Sequence, residues 1–257
     1  MLLRLATLLL LSVSLSCANK ELIKPGEPID SAYEKSIAFY EKEEYSDAAY
    51  GFDLVTRMGR GTTYAKEAQF LLAESYFKNK QYLLAASEYE RFISYYPQDE
   101  RRQEVEFNRA LSYYQQSPRY RLDQGPTMRA IELFQLFNNN YPNSPFIEES
   151  AQKIDELRNK LARKTYESGQ FYLRTLRYKA ATIYFDQTID LYPETRWAES
   201  ALLKIIETYC KYYNINYNKE ISKKAIQWSL QRGNRTGRTA WQFILNTASD
   251  QNLKIKI

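Results

Sequence analysis

The sequence predicts an all-α protein, built as a right-handed superhelical stack of about five helical hairpins. Three observations predict this fold class. Small and aromatic residues recur in a fixed order along most of the chain, and proline closes several copies of that order. Residues 146–176 contain no proline and carry apolar residues at helical intervals. One hairpin cannot bury its own apolar face, so neighbouring hairpins must stack to form a core.

The clearest copy of the repeat runs from Leu72 to Pro97. Its order of small residue, aromatic, alanine, aromatic and proline is typical of a tetratricopeptide repeat. Small residues let two antiparallel helices approach closely, aromatic residues fill the space beside the crossing, and proline ends the second helix. The matched positions are Ala73, Tyr76, Ala85 and Tyr89 in this copy; Ser36, Phe39, Ala48 and Phe52, with Arg60 in place of proline; Ala110, Tyr113, Ala130, Phe134 and Pro142; and Gly169, Tyr172, Ala181, Phe185 and Pro193.

Departures from the repeat predict the domain organisation. An insertion around residues 117–125 separates the two helices of the third copy. Residues 146–176 are expected to form one long helix, or two nearly collinear helices, that bridge two halves of the chain. A weaker fifth pair has Cys210, expected as a buried and inert thiol, on its first helix and Trp228 on its second. We therefore expect repeats 1–3 in residues 29–142, the long helix and repeats 4–5 in residues 143–232, and a tail in residues 233–257.

The N-terminus has the layout of an export signal. Arg4 precedes an apolar stretch that is too short to span a bilayer, and small residues lead into Cys17. This layout predicts a lipoprotein signal peptide in residues 1–16, lipidation of Cys17, and a flexible tether in residues 17–28. The alternative is an ordinary secretory signal that leaves a soluble periplasmic protein. Loss of Arg4 with the signal would change the net charge from +5 to +4. We interpret this small excess of positive charge as solvated helix faces rather than a nucleic-acid surface.

The residues that most enzymes need are missing. The chain has no histidine, which removes the commonest general base and most zinc sites. It also has no glycine-rich phosphate loop, and its adjacent glutamates point in different directions on a helix. The sequence therefore predicts no enzyme, no cofactor and no metal site.

Aromatic residues recur at a surface position of the repeat. The residues three before the small crossing position are Tyr33, Phe70, Phe107 and Tyr166, on the first helix of each pair, which lines the concave face of such stacks. One interpretation is that these rings only complete the packing between hairpins. The other is a groove that binds an extended or helical peptide. In the N-terminal repeats this predicted groove contains Tyr33, Tyr40, Phe70, Glu74 and Phe77.

Several short sequence motifs, in a fixed order, indicate a specific protein family. They are Cys17, the insertion after Tyr114, Tyr-Pro-Asn-Ser at 141–144, Lys-Leu-Ala-Arg-Lys at 160–164 and Leu-Tyr-Pro-Glu-Thr at 191–195. With them, the chain resembles the BamD family of outer-membrane β-barrel assembly lipoproteins from about residue 29 to residue 213.

The resemblance implies a lipid-anchored protein on the periplasmic face of the outer membrane. Its partners would be the barrel-forming subunit BamA, through a periplasmic domain, and unfolded outer-membrane proteins, through their aromatic C-terminal strand. The family places client binding in the N-terminal repeats and docking in the C-terminal repeats. Arg163, Arg174 and Arg177 are our candidates for docking.

Two other functions are compatible with such repeats. One is a general periplasmic scaffold in envelope biogenesis or division. The other is a glycan-capturing lipoprotein, although those chains are generally much longer and need more exposed tryptophan than Trp197, Trp228 and Trp241 can supply.

Overall fold

A computed structural model describes residues 23–24 and 26–212. Several predicted features lie outside these residues: the signal peptide, the lipidation site Cys17, part of the tether, the second helix of the fifth pair and the tail. The chain divides into two compact units, Met1–Asp99 and Glu100–Ile257.

The described residues of unit 1 form two helical hairpins. Its helices are α1 (Ile29–Glu41), α2 (Tyr45–Met58), α3 (Thr63–Lys78) and α4 (Tyr82–Tyr95). Each helix packs against the next, and α1 also contacts α3. The first core lies between α1, α2 and α3, where Ala48, Phe52 and Val55 are fully buried together with Leu72. Burial of these side chains supplies most of the stability of helices this short, because isolated helices of such length are marginal in water.

The described part of unit 2, up to Tyr212, has five helices, one of them unusually long. These are α5 (Arg102–Gln116), α6 (Gly125–Asn140), α7 (Ile147–Arg174), α8 (Tyr178–Leu191) and α9 (Arg196–Tyr212). At 28 residues, α7 is about 42 Å long. Its middle turns contribute Leu157 and Leu161 to a core with α5 and α6, and its C-terminal turns contribute Tyr166 and Leu173 to a core with α8 and α9. One helix therefore belongs to two adjacent cores.

The crossing positions of the repeat behave as their size predicts. Ser36, Ala73 and Ala110 are fully buried. At Gly169 a Cβ atom would lie 2.6–3.0 Å from ring atoms of Phe185 on the facing helix, which is too close for any side chain. All regular elements in the described part of the chain are helices arranged as hairpins. The predicted all-α class and its tetratricopeptide-type hairpins are thus confirmed.

Three hairpin turns have the same backbone conformation. Glu43, Lys80 and Leu176 each follow the first helix of a pair and have φ near +60°. Around the first turn, the N–H of Glu43 donates to the carbonyl of Tyr40 and that of Glu44 donates to the carbonyl of Phe39. The turns at Lys80 and Leu176 repeat both bonds. This is a Schellman motif, which normally uses glycine at the left-handed position, so a larger residue there is strained.

Candidate functional site

The predicted groove residues lie together on the first helices of unit 1. Tyr33 and Tyr40 are seven residues apart on α1, as are Phe70 and Phe77 on α3, so each pair shares one helix face. All of them, with Glu74, are half-buried. We call these five residues the aromatic stripe. Each ring therefore keeps part of its surface open to a ligand while the rest is packed.

Each ring of the aromatic stripe has an aromatic neighbour that holds its orientation. Tyr33 lies 5.3 Å from Tyr64, and Phe70 lies 6.0 Å from the buried Phe92, measured between ring centroids. Because these rings are already ordered, binding a peptide against them costs little additional side-chain entropy. Two further contacts repeat across the hairpin turns at the same interval, Tyr40 with Tyr45 at 5.5 Å and Phe77 with Tyr82 at 5.4 Å.

One carboxylate stands among these rings. Glu74 accepts a hydrogen bond from the hydroxyl of the fully buried Tyr89. Burial, with the charge of Glu74 nearby, raises the pKa of Tyr40 to about 12. Tyr40 therefore keeps its proton at neutral pH and can donate a hydrogen bond. The aromatic stripe combines apolar contact area with one acceptor and one donor, which suits a polypeptide backbone.

The equivalent aromatic residues of unit 2 are not part of any open surface. Phe107 is 3% exposed and stacks on Phe146 with centroids 4.7 Å apart. Tyr166 is 8% exposed and lies 5.2 Å from Trp197. The idea of a surface stripe running through all four repeats is therefore wrong at these two positions, where the rings complete the core.

The candidate docking arginines lie on and just after α7. Arg163 and Arg174 are about three turns apart and so share one face of the helix, and Arg177 is exposed in the turn before α8. The guanidinium of Arg163 lies 4.2 Å from the ring centroid of Tyr120, in the insertion. This cation–π contact attaches Arg163 to the insertion, whereas Arg174 lines an open cleft.

That opening, the cationic cleft, has a volume of about 490 Å³. Three cations and one acid face it, and the exposed Phe171 and the stacked pair of Tyr172 and Tyr184 add apolar surface. Sequence reasoning missed most of this lining, although it had recognised the insertion and Arg174 separately. The lining residues are Tyr120, Arg121, Lys164, Glu167, Ser168, Phe171, Tyr172, Arg174 and Tyr184.

The insertion forms a fixed wall of the cationic cleft. Lys160 donates from Nζ to Oγ of Ser117 at 2.7 Å, and Lys164 donates from Nζ to the carbonyl of Leu122 at 2.7 Å. Burial lowers the pKa of Lys160. The side chain of the buried Gln124 donates to two backbone carbonyls inside the insertion. These bonds order a segment that would otherwise be a surface loop.

Within residues 23–24 and 26–212, no helix has both the length and the apolar character needed to cross a bilayer. In the same residues, no three acidic or cysteine side chains are grouped so that they could hold a metal ion.

Comparison with known proteins connects these surfaces to one family. A family model named YfiO and described as an outer membrane lipoprotein matches residues 25–224. A protein of Rickettsia prowazekii is 29% identical over 182 residues, which cover 71% of this chain and 72% of the relative. A protein of Vibrio cholerae is 26% identical over 224 residues, covering 80% and 89%.

A third relative, from Caulobacter vibrioides, is 24% identical over 223 residues, covering 85% of this chain and 72% of the relative. All three relatives are named outer membrane protein assembly factor BamD. The family match covers most of the chain and includes both the aromatic stripe and the cationic cleft. The chain therefore belongs to the YfiO family of outer membrane lipoproteins.

Proposed function

We propose that this protein is a non-enzymatic component of the machine that assembles β-barrel proteins in the outer membrane. The relatives named as assembly factors support the general role. The observation that best supports a specific mechanism, binding of a polypeptide, is the aromatic stripe. It is a set of partly exposed, oriented rings in unit 1. Such a surface binds polypeptide and requires no chemistry beyond recognition.

In this proposal, the aromatic stripe holds the C-terminal strand of an unfolded outer-membrane protein. The exposed parts of Tyr33, Phe70 and Phe77 would contact aromatic side chains of the strand, because an aromatic pair gains more free energy than its buried area alone provides. Glu74 would accept a backbone N–H of the strand, and the protonated hydroxyl of Tyr40 would donate to a carbonyl. Holding the strand near the insertion machinery raises its effective concentration there.

The cationic cleft is the proposed docking surface for a periplasmic domain of the barrel-forming subunit BamA. Its excess of positive charge favours an acidic segment, and the exposed ring of Phe171 offers an apolar contact beside those charges. Of the three candidate arginines, Arg174 is placed to contact the partner directly. Arg163 acts by positioning Tyr120, and Arg177 would contribute from the rim.

The membrane attachment in this proposal is a lipid on Cys17, after removal of residues 1–16. Acylation at the cysteine would place both units on the periplasmic face of the outer membrane. Family membership supports association with that membrane.

Site-specific photo-crosslinking tests client binding. A photoreactive amino acid replaces Ile37, which lies between Tyr33 and Tyr40 on α1, and in a control it replaces Tyr50, an exposed aromatic residue of α2. We expect crosslinks to an unfolded barrel protein from position 37 and few from position 50. Equal yields at both positions would remove the aromatic stripe from the proposal.

Capture from detergent-solubilised envelope tests docking. Arg174→Glu should reduce recovery of the barrel-forming subunit by about tenfold, because it places a negative charge in a site proposed to bind one. Lys179→Glu reverses the charge of an exposed cation on α8 outside the cleft lining and should leave recovery unchanged. Loss of recovery in both variants would indicate a general charge effect rather than docking in the cleft.

A further inference from the structure

Ile23 is buried although it precedes the first helix. Its side chain is 5% exposed and belongs to the core between α1, α2 and α3. The space that it fills exists because residue 51, in the middle of α2, is glycine. A Cβ atom at Gly51 would collide with Cδ1 of Ile23 and with Oγ of Ser36. Glycine is unfavourable inside a helix, so its presence here is explained by the close approach of two side chains, that of Ser36 on α1 and that of Ile23.

A second contact fastens the same segment to α1. The carboxylate of Glu27 lies 2.6 Å from Nζ of Lys35, accepts the hydroxyl of Ser31 at 2.7 Å and accepts the backbone N–H of Lys24 at 3.2 Å. These hydrogen bonds, that of Lys35 first, lower the pKa of Glu27 to about 2. The carboxylate is thus ionised at neutral pH, and it links the backbone beside Ile23 to the first helix.

We infer that the space over Gly51 is a docking site for Ile23, which pins the N-terminal segment of the mature chain to unit 1. The consequence for the membrane rests on the proposed lipid at Cys17. With Ile23 docked, five residues separate it from Cys17, and five residues span at most about 20 Å even when fully extended. A tether that was free up to Pro28 would reach about 40 Å. Docking of Ile23 therefore keeps unit 1 close to the membrane surface.

Thiol labelling tests the docking itself. The full mature chain is prepared without lipid, with Cys17 replaced by Ser, and carries either Ile23→Cys or Lys24→Cys. Lys24 is exposed and Ile23 is buried, so we expect the cysteine at position 23 to react at least about tenfold more slowly. Adding Gly51→Ala to the Ile23→Cys variant should bring its rate close to that of Lys24→Cys. Equal rates in the two single variants would overturn the inference, whether or not Gly51→Ala folds.

Energy transfer from dyes in the bilayer surface tests the consequence. The lipidated protein carries a fluorophore at Ser46, an exposed position at the start of α2, and is bound to phospholipid vesicles. Transfer should be stronger for the natural chain than for Ile23→Asp, which cannot dock an apolar side chain. Slow labelling at position 23 without vesicle binding would keep the docking of Ile23 and reject the proposed anchor. Fast labelling would reject the docking regardless of the vesicle result.

Discussion

Equivalent positions of the repeat carry aromatic rings in both units, but the rings differ in their exposure to solvent. Tyr33 and Phe70 in unit 1 are half-exposed, whereas Phe107 and Tyr166 in unit 2 are buried beneath Phe146 and Trp197. The repeat places each side chain on the same face of its helix. The side chains packed against that face then determine how much of the ring is covered: Tyr33 lies beside the exposed Tyr64, whereas Tyr166 lies beside the partly buried Trp197. In unit 2 the covering rings come from the residue before α7 and from the first turn of α9.

Removing one ring from each unit should reveal the largest difference between them, in the free energy of unfolding. Phe107→Ala is expected to lower the free energy of unfolding by about 3–5 kcal/mol, because it empties a fully packed site. Phe70→Ala should cost about 1–2 kcal/mol, because part of its surface is already in contact with water. Urea denaturation followed by circular dichroism at 222 nm measures both. Equal losses would mean that the two positions do not differ in burial.

The hairpin turns have the same backbone geometry in both units. Glycine substitutions test whether this geometry has the same energetic cost in each. Leu176→Gly in unit 2 and Lys80→Gly in unit 1 should each raise the free energy of unfolding by about 1 kcal/mol, because each removes the strain of a left-handed residue. Thermal and urea unfolding of both variants provide the measurement. A stabilised Leu176→Gly together with a destabilised Lys80→Gly would show that the shared turn geometry is energetically unequal.

A charged contact is expected to have the smallest effect. In unit 2, Arg158 of α7 donates to Glu194 at 2.5 Å and to the carbonyl of Leu191 at 2.8 Å. The hydrogen bond from Arg158 lowers the pKa of Glu194 below its ordinary value of 4.5. The ion pair therefore stabilises the fold above about pH 4.5, and this contribution is lost as the pH falls through the lowered pKa.

Glu194→Gln measures that contribution. Since both side chains are partly exposed, the variant should lose less than about 1 kcal/mol at neutral pH. The difference from the natural chain should shrink as the pH falls below about 4.5, through the lowered pKa of Glu194. A difference that stays constant over this range would show that the charge of Glu194 contributes nothing to stability.

The sequence was most informative where the contacts are periodic. Ala73 and Gly169 were placed at helix crossings from spacing alone, and both have that role in the structure. Spacing works here because a crossing between consecutive helices depends on residues close in sequence.

The missed features depend on contacts between residues far apart in sequence. Ile23 stands in a short segment without periodicity, and only the facing Gly51 shows why it is buried. The insertion is fixed by Lys160 and Lys164, more than forty residues after the oxygens that they bind. Tyr64 lies at the start of α3, and its contact with Tyr33 follows from the packing of α3 beside α1. No local pattern marks any of these residues.

The central claim is that the aromatic stripe of unit 1 binds the C-terminal strand of a client, and a peptide titration tests it most directly. A labelled peptide with the sequence of a barrel C-terminal strand is titrated with the natural protein, with Phe70→Ala/Phe77→Ala, and with Tyr50→Ala/Tyr95→Ala. The last variant removes two exposed rings that lie outside the aromatic stripe. We predict at least about tenfold weaker binding, or 1.4 kcal/mol, for the first variant and unchanged binding for the second. Equal affinity of all three proteins would contradict the claim.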